Sequence, residues 1–389
     1  MCGITAIFGN YKEKEDFVKT SLDKIQHRGT SIFEYKIFNN GALGANRLPI
    51  VDREHGQQPL SNEDNTIFAV QNGEIFNYIS LKEMLQKKGH KFKTNCDTEV
   101  LAHLYEEFGE KLIDYIDSEM FSFVIYDSKK DKFFVARDRF GVKPLFYAID
   151  KNNFYFGSEL KQLVQFDFIK EVKIFPKGHY MVDGKLKKYY DLKYDNSVKN
   201  LEHAKTKLTN LIVDAVKKRV DTDLPIAVLL SGGVDSSLIM EIATRFHKDV
   251  TAFILGIPGS SDYEAAVRLC KDNNYKYKIV YPNVDYAKEF EKLIYHLELY
   301  EAQVIRQSFA LDILAKEVVR AGYRIALVGE ASDEIFGGYN EFSRLKDENI
   351  NRGCFMITND LEKSHNVRVD RMSMKHTLET RAPFFDTKV

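Results

Sequence analysis

The pattern of apolar and polar residues differs between the two halves of the chain. In the first half, short apolar runs with strand composition alternate with Gly, Asn and Asp turns, and a few stretches show helical spacing. Residues 4–8, 67–70, 121–126, 133–136 and 154–156 are predicted strands, and 17–25, 81–88 and 99–108 are predicted helices. The pattern therefore predicts a β-rich half with interspersed helices.

In the second half, apolar strands alternate with helices. A helix over 201–219 precedes the strand IAVLL, and further helices separate the runs TAFILG, YKIVYP and IALVG. That alternation predicts a parallel sheet with helices on both faces. The polar stretch DLKYDNSVKN lies between the two patterns, so we predict a first domain over 1–190, a linker over 191–200 and a second domain over 201–389.

The motif SGGVDSS follows the run IAVLL and precedes a helical pattern. A strand, a glycine-rich turn and a helix start direct backbone N–H groups toward one point, which suits a phosphate. Gly232 and Gly233 allow close approach, whereas Asp235 would repel phosphates unless a cation such as Mg²⁺ lay between them. An ordinary strand–helix turn is the alternative. The complete motif favours a phosphate site, and it resembles the pyrophosphate loop of the ATP pyrophosphatases.

Composition excludes several classes of protein. The formal net charge is -1, from 56 Lys and Arg against 57 Asp and Glu, so neither nucleic acid nor a membrane is expected as a partner. No apolar run is long enough to span a bilayer, and the four cysteines are far apart, without zinc-ligand spacing. We expect a cytoplasmic protein with reduced thiols. The sequence leaves the oligomeric state open, with a homodimer as one expectation.

Cys2 directly follows Met1. Removal of Met1 would leave a thiol beside a free α-amine with a pKa of about 8, and such an amine can act as the base for its own side chain. The alternative is a buried small residue. The motifs MCGI, HRG, NRLPIVD, NGEIFN, CDTE, RDRFGVKPLFY, GSELK and PKGHY together resemble the class II glutamine amidotransferase domain.

This resemblance implies an Ntn-hydrolase-type αββα sandwich with Cys2 as the nucleophile. It implies that Arg47 binds the α-carboxylate of glutamine and that Asp97 and Glu74 bind its ammonium group, which suits their charges. The side-chain amide of Asn72 and the N–H of Gly73 would stabilise the tetrahedral intermediate. The remaining residues expected to contact glutamine are Leu48, Pro49, Ile50 and Val51.

The second half resembles the synthetase domain of glutamine-hydrolysing asparagine synthetases, through SGGVDSS, IYHLELYEAQVIRQS, LVGEASDEIFGGYNEF and RMSMKHTLETRAPFFD. This implies a doubly wound parallel α/β ATP pyrophosphatase domain. Asp235 and Asp333 would share Mg²⁺, Glu330 would support the aspartyl adenylate, and Arg306 would anchor aspartate or phosphate. A capped helix with solvated acidic residues is the alternative for this acidic turn. The residues expected to bind ATP are Leu230, Ser231, Gly232, Gly233, Asp235, Ser236, Leu255, Val328 and Gly329.

Two departures from the family pattern bear on this second site. Ala331 replaces a glycine, which would restrict a positive φ. The family continues past RAPFFD with a helical segment that carries a pyrophosphate-contacting lysine, whereas this sequence ends at Val389. We therefore expect a shortened second domain with weaker synthetase activity, unless another chain or a local lysine such as Lys375 substitutes.

The sequence as a whole predicts a two-domain enzyme, α+β and α/β, that makes asparagine. Glutamine would supply ammonia, aspartate would be adenylylated by ATP with Mg²⁺, and AMP and pyrophosphate would be released. The ammonia would travel from one domain to the other through a dry passage. Two alternatives stay open: amidation of another carboxylate, or a glutaminase attached to an inactive synthetase half.

Overall fold

The computed structural model describes residues 1–30, 32–195, 197–198 and 200–389. These residues fall into two compact units, Met1–Asp191 and Leu192–Val389. Residues 196 and 199 of the predicted linker lie outside the described residues. Within the described part of the chain, no helix is both long and apolar enough to cross a membrane.

The first unit contains antiparallel strands and four α-helices among its described residues. The strands are β1 (Cys2–Phe8), β2 (Glu34–Phe38), β3 (Gly41–Arg47), β4 (Leu60–Ser61), β5 (Ile67–Gly73), β6 (Phe121–Asp127), β7 (Lys132–Arg137), β8 (Phe146–Asp150), β9 (Asn153–Gly157), β10 (Lys173–Ile174), β11 (His179–Val182) and β12 (Lys185–Lys188). The helices are α1 (Lys14–Asp23), α2 (Tyr78–Lys87), α3 (Asp97–Phe108) and α4 (Lys161–Val164).

These strands form two sheets. One has the order β10-β8-β9-β1-β3-β2 and the other β12-β11-β7-β6-β5-β4. Side chains alternate between the two faces of a strand, so Ile4 and Phe8 of β1 pack between the sheets with Val124 of β6. Ile7 points the other way and packs against Phe17 of α1.

The second sheet is covered in the same manner on its outer face. Phe123 of β6 packs there with Leu85 of α2 and Leu101 of α3. Helix, sheet, sheet and helix therefore form four layers around three apolar cores. This confirms the predicted αββα sandwich, and the strands and helices predicted in this half all form, with bounds shifted by a few residues.

The second unit alternates strands and helices along the chain. Its strands are β13 (Ile226–Leu229), β14 (Val250–Leu255), β15 (Lys276–Val280), β16 (Ile325–Leu327) and β17 (Glu379–Arg381). Its helices are α5 (Leu201–Arg219), α6 (Val234–Phe246), α7 (Ser261–Asp272), α8 (Tyr286–Leu297), α9 (Ala302–Arg320), α10 (Ser332–Phe336), α11 (Asp347–Asp360) and α12 (His365–Met374).

The sheet of the second unit is parallel, with the order β15-β14-β13-β16-β17. On one face, Ala227 of β13 packs with Ile313 and Val318 of α9. Val228 points to the opposite face and is also buried, and α6 contacts β13 and β14. The predicted parallel sheet with helices on both faces is confirmed. Because its strands run in parallel, the residues that follow β13, β14 and β16 come out at the same edge.

β17 was not predicted, because its residues are Glu379, Thr380 and Arg381. All three are buried, and β17 pairs with β16. Arg381 Nε donates to Glu379 Oε1 at 2.7 Å, and Arg381 Nη1 donates to the carbonyl of Arg219 at 2.7 Å. Buried charges persist where they are paired in this way, so an apolar pattern would not reveal this strand.

The end of α5 is joined to the segment after β17 by a buried ion pair. Arg219 Nη1 lies 3.2 Å from Asp386 Oδ2, and both side chains are at most 4% exposed. Lys218 Nζ lies 3.3 Å from the same oxygen. Removing one partner of such a pair leaves a buried charge without compensation.

We expect Asp386→Ala to lower the free energy of unfolding of the second unit by about 3–5 kcal/mol. Chemical denaturation followed by circular dichroism measures this. Asp360→Ala is the matched control, because Asp360 pairs with Lys363 at 2.8 Å while both side chains are more than 60% exposed, and its loss should cost less than about 1 kcal/mol. Equal effects of the two variants would contradict the assignment.

Candidate active sites

Cys2 begins β1 in the first unit and is paired with Arg47 at the end of β3. The backbone N–H of Cys2 donates to Asn72 Oδ1 at 3.3 Å, and Asn72 lies near the end of β5. Only 5% of Cys2 is exposed. The ends of three strands therefore bring together a thiol, a guanidinium and an amide.

The side-chain amide of Asn72 offers a hydrogen-bond donor that none of the described residues uses. Its Nδ2 atom is buried and has no hydrogen-bond partner in the described residues, although leaving such a donor unpaired costs about 1–3 kcal/mol. Gly73 follows with a φ of +142°, and a Cβ there would meet the carbonyl oxygen of Met120 at 2.1 Å. An unpaired buried donor beside a cysteine suits a negatively charged oxygen that forms during a reaction.

Gln58 contacts the same thiol and was missed from the sequence. Its Nε2 lies 3.5 Å from Cys2 Sγ and 3.1 Å from Thr98 Oγ1, and its Oε1 accepts from the backbone N–H of Gln71 at 2.7 Å. These bonds orient the amide so that its donor points at the sulfur. Gln58 lies between two recognised motifs, and a single glutamine there carries no pattern of its own.

Arg47 holds the loop that follows it. Its Nη2 donates to the carbonyls of Val51 at 2.5 Å and Asp52 at 2.9 Å. Gly56 leaves room for this guanidinium, because a Cβ there would lie 2.2 Å from Nη2. Leu48 and Ile50 are buried, Pro49 and Val51 are half-buried, and the N–H of Leu48 donates to the carbonyl of Met1 at 3.0 Å. The predicted glutamine-contacting segment therefore lies beside Cys2.

Asp97 is the first residue of α3 and is buried. Burial raises the pKa of its carboxyl, although the backbone N–H of Ile75 and the side chain of Gln71, each at 3.0 Å from Oδ2, act against that shift. Glu74 is buried next to Gly73. Two buried carboxyl groups thus lie on segments adjoining the strand that carries Asn72, as a bound ammonium group would require.

The HRG and GSELK motifs support Cys2 from behind. Arg28 Nε donates to the Cys2 carbonyl at 3.1 Å, and Arg28 Nη1 lies 2.7 Å from Glu159 Oε1, with both side chains fully buried. His27 Nε2 lies 3.1 Å from the same carboxylate oxygen. A buried ion pair therefore fixes the backbone that carries the thiol.

Burial raises the pKa of the Cys2 thiol, whereas the positive charges of the chain's N-terminus and of Arg47 act to lower it. A buried thiol of this kind remains protonated at neutral pH, so it needs a base before it can attack. The site therefore supplies orientation and charge stabilisation for the thiol.

The second unit contains a polar cavity of about 410 Å³ at the carboxyl edge of the parallel sheet. The walls come from the turn after β13, the segment after β16, and helices α9 and α12. Seven of the predicted residues line this cavity: Ser231, Asp235, Ser236, Val328, Gly329, Glu330 and Asp333.

The other residues predicted for ATP lie outside this lining, and so does Arg306, the predicted anchor for aspartate or phosphate. Leu255 and Arg306 line a separate, apolar cavity of about 600 Å³, and Leu230 is buried. Gly232 has a φ of +87°, and a Cβ there would meet the carbonyl oxygen of Asp262 at 2.4 Å. Gly233 is the N-cap residue of α6. The two glycines shape the turn between strand and helix.

The hydroxyl groups of the turn mostly bond to one another. Ser231 Oγ and Ser236 Oγ are 2.9 Å apart, and the N–H of Gly233 donates to Ser231 Oγ at 3.3 Å. Asp235 Oδ1 accepts from Ser332 Oγ at 2.7 Å, which links the turn to the start of α10. The motif therefore has a fixed conformation with its carboxylate facing the cavity.

Arg368 of α12 contacts the predicted catalytic carboxylate and was not found from the sequence. Its Nη2 lies 2.6 Å from Glu330 Oε1, and its Nη1 donates to Gln307 Oε1 at 2.6 Å. Arg368 lies one helical turn before the quoted motif RMSMKH, so extending that motif by a turn could have found it. Lys375 instead pairs with Asp312 at 3.0 Å, and it does not line the cavity.

Asp333 is surrounded by like charges. Burial raises the pKa of its carboxyl, and the carboxylates of Asp235, Glu334 and Glu330 raise it further. Carboxylate oxygens grouped in this way are the donors that a hard divalent cation prefers. Asp235 and Asp333 line the same cavity and could hold one.

Ala331 adopts a backbone conformation that normally belongs to glycine. Its φ is +78° and its ψ is -10°, and the residue is buried between Glu330 and Ser332. For a residue with a Cβ this left-handed conformation costs about 1–2 kcal/mol. The Cβ of Ala331 therefore does not prevent a positive φ, and interactions in the surrounding fold offset the strain energy.

Two family models match the chain. Residues 1–210 match the glutamine amidotransferase domain, and residues 207–353 match asparagine synthase. Together these two matches extend across both compact units. They cover the turn that carries Asp235 and the segment that carries Glu330 and Asp333.

Curated relatives are similar over the whole chain. The glutamine-hydrolyzing asparagine synthetase 3 of Arabidopsis thaliana is 34% identical over 407 residues, covering 99% of this chain and 69% of that protein. The glutamine-hydrolyzing asparagine synthetase 2 of Lotus japonicus is 34% identical over 409 residues, covering 100% and 69%. The glutamine-hydrolyzing asparagine synthetase of Zea mays is 33% identical over 408 residues, covering 99% and 68%.

We expect Asp333→Asn to raise the melting temperature of the metal-free protein at pH 7. The folded state holds the Asp333 proton more tightly than the unfolded chain does, so ionisation at neutral pH destabilises the fold. This destabilisation disappears as the pH falls through the raised pKa, so the two proteins should converge below about pH 4. Thermal melts across pH measure the difference.

The control for this variant is Asp221→Asn, which changes an exposed carboxylate that does not line the cavity. It should leave the melting temperature nearly unchanged. A melting temperature that falls at pH 7 in Asp333→Asn would show that the carboxylate is stabilising, contrary to the charge distribution described here.

Proposed function

Since the chain belongs to the family of glutamine-hydrolysing asparagine synthetases, we propose that it makes asparagine from aspartate, with glutamine as the nitrogen donor and ATP as the co-substrate. ATP is cleaved to AMP and pyrophosphate. The first unit acts as the glutaminase and the second as the synthetase. The observation that carries the proposal is the unpaired, buried Nδ2 of Asn72 beside the thiol of Cys2.

In the glutaminase half, removal of Met1 gives Cys2 a free α-amine, and this amine takes the proton of the thiol. The sulfur attacks the side-chain carbonyl carbon of glutamine. Asn72 Nδ2 and the N–H of Gly73 stabilise the oxyanion, and Gln58 donates to the sulfur. The proton passes to the leaving nitrogen, which departs as ammonia, and water then hydrolyses the thioester to glutamate.

Charge explains how glutamine is oriented. Arg47 binds its α-carboxylate, and Asp97 and Glu74 bind its ammonium group. Because Arg47 also holds the carbonyls of Val51 and Asp52, it connects the substrate to the loop that contains Leu48, Pro49, Ile50 and Val51. Loss of the guanidinium would loosen that loop as well as the substrate.

In the synthetase half, the β-carboxylate of aspartate attacks the α-phosphorus of ATP and pyrophosphate leaves. Ammonia then attacks the adenylate, and AMP leaves. Ser231, Gly232, Gly233, Ser236, Val328 and Gly329 are proposed to surround ATP, together with Leu230 and Leu255. Glu330, held by Arg368, orients the adenylate and the attacking ammonia.

We propose Asp235 and Asp333 as the ligands of Mg²⁺. Bound Mg²⁺ would offset the negative charge of the pyrophosphate. The carboxylates fit this ion, because both face the cavity and the charge of Asp235 raises the pKa of Asp333. Adding Mg²⁺ should therefore stabilise the wild type more than the Asp333→Asn variant.

The proposed location is the cytoplasm, where thiols stay reduced. Cys2, Cys96, Cys270 and Cys354 are all buried and free in the structure. A homodimer is the proposed assembly, and sedimentation of the purified protein tests it. Neither proposal affects the chemistry of the two sites.

Cys2→Ala should abolish asparagine formation from glutamine while leaving formation from ammonium salts within about twofold of the wild type. The reason is that the variant removes only the group that attacks glutamine. Asparagine, glutamate and AMP are measured with ATP, Mg²⁺ and aspartate, and intact mass reports whether Met1 has been removed. Retention of Met1 in fully active protein would contradict the role of the α-amine.

A panel of other carboxylic acids tests the acceptor in the same assay. AMP formed with another acid but not with aspartate would overturn the proposed substrate. Glutamate formed without any ATP-dependent amidation would overturn the synthetase half of the proposal.

Arg368→Ala should lower the rate of the synthetase step roughly 10- to 150-fold, because a hydrogen bond to a charged group is worth about 1.5–3 kcal/mol. Glutaminase activity should stay unchanged, since Arg368 belongs to the other unit. The matched control is Arg320→Ala, which breaks an exposed pair with Glu317 at 2.7 Å. If both variants lose the same activity, Arg368 does not act through Glu330.

A further inference from the structure

A second cluster of potential ligands lies in the first unit, apart from the residues proposed to bind glutamine. It consists of Glu63 in the turn after β4, His90 between α2 and α3, and His103 and Glu106 on α3. One ligand atom from each of the four lies within 4.8 Å of all the others. His103 follows Asp97 by six residues on the same helix, which is about 9 Å along its axis.

The two imidazole rings face each other through their Nδ1 atoms. His90 Nδ1 and His103 Nδ1 are 3.3 Å apart. His103 Nδ1 lies 3.0 Å from Glu63 Oε2, while His90 Nδ1 lies 3.5 Å from Glu63 Oε1 and 3.8 Å from Glu106 Oε2. Zinc bonds of 2.0–2.2 Å in a tetrahedron place neighbouring ligand atoms about 3.3–3.5 Å apart. The cluster therefore already has nearly the dimensions of a zinc site.

The outer nitrogen of each ring faces a carboxylate. His103 Nε2 lies 3.5 Å from Glu99 Oε1, and His90 Nε2 lies 3.3 Å from Glu107 Oε2. A carboxylate at this position fixes the proton on the outer nitrogen and leaves the lone pair of the inner nitrogen free to bind a metal. With the outer nitrogens protonated, both inner lone pairs would point at the same centre, where a cation could bind them.

The neighbouring side chains do not supply that cation. Among the described residues, no lysine or arginine forms an ion pair with Glu63 or Glu106, and Lys88 pairs with Glu107 instead. Glu63 Oε2 is buried and receives no hydrogen bond. Asn62 Nδ2 orients Glu106 by donating to its Oε2 at 2.8 Å. The charges of the two carboxylates are therefore directed toward the imidazoles and not toward a lysine or arginine partner.

Access and coordination also fit a metal ion. His103 is fully buried, but the side chains of Glu63 and Glu106 are 32% and 35% exposed, so an ion can enter from the carboxylate side. Two imidazoles and two carboxylates complete four-coordination, as structural zinc sites require, and Zn²⁺ favours imidazole more than Mg²⁺ or Ca²⁺ do.

We propose that Glu63, His90, His103 and Glu106 form a structural Zn²⁺ site. The ion joins three separate segments: the turn after β4, the loop before α3, and α3 itself. That loop runs directly into Asp97, and the N–H groups of Lys93 and Thr94 in it are bonded to Glu99 at 2.7 Å. Zinc therefore stabilises the fold around the start of α3 without touching a reacting group.

The test uses the full chain, stripped with a chelator and titrated with Zn²⁺ against a chromogenic chelator. We expect one tight equivalent in the wild type, and a rise in the melting temperature of the first unit of roughly 5–10 °C at a hundredfold excess over the dissociation constant. Co²⁺ in place of Zn²⁺ should show the visible absorption of a tetrahedral site.

His90→Gln and Glu106→Gln should each weaken Zn²⁺ binding at least tenfold and remove the Co²⁺ absorption. The side chain of Glu106 is 35% exposed, so the Glu106→Gln variant is expected to fold even if variants of the more buried His90 and His103 do not. His203→Gln, at an exposed histidine of α5, is the control and should bind like the wild type. Absence of binding in the wild type, or equal binding in His90→Gln, would mean a proton-sharing pair or an adventitious ion only, and would overturn the proposal.

Discussion

Apolar side chains packed between the two antiparallel sheets determine where Cys2 lies. β1 alternates Ile4 and Phe8 toward the inter-sheet core with Ile7 toward α1. A shift of one residue in the pairing with β3 would exchange these two faces and bury the wrong set. The register that pairs Cys2 with Arg47 is thus set by hydrophobic burial several residues away, and the polar contacts of the thiol act on a backbone that is already fixed.

The second unit follows a different rule, because its cavity concentrates negative charge that the protein itself neutralises only in part. Asp235, Glu330, Asp333 and Glu334 all line one cavity, and Arg368 compensates mainly Glu330. A polyphosphate alone would add to the repulsion, whereas a polyphosphate with a cation would remove it. This distribution of charge supports the proposal that the site binds a polyphosphate together with a cation.

The sequence predicted most of the fold, and most of the residues that the structure brings together around Cys2 and in the cavity of the second unit, because these depend on local signals. Alternation revealed the strands, and SGGVDSS specified a strand, turn and helix in seven residues. The place of Leu255 could not be predicted from local signals. β14 and β16 lie on opposite sides of β13, so Leu255 opens into another cavity than Val328 does. Strand order follows from tertiary packing, which no single strand encodes.

The missed residues share a physical cause. Gln58 and Arg368 act through contacts with residues 56 and 38 positions away, and each is a common polar residue without a spacing rule. β17 was not predicted, because it contains paired charged side chains in place of apolar ones. Polar groups whose partners are distant in the chain become visible only when the fold has brought them together.

The left-handed backbone at Ala331 also limits how this position can vary during evolution. Glycine would relieve the conformation and alanine tolerates it, whereas a β-branched side chain would carry the full strain in a residue that is only 1% exposed. Two acidic neighbours, Glu330 and Asp333, depend on the direction that this peptide takes. We therefore expect related chains to have either glycine or alanine at position 331, while the acidic residues around it stay unchanged. The variation at this position would then reflect the backbone geometry of the turn.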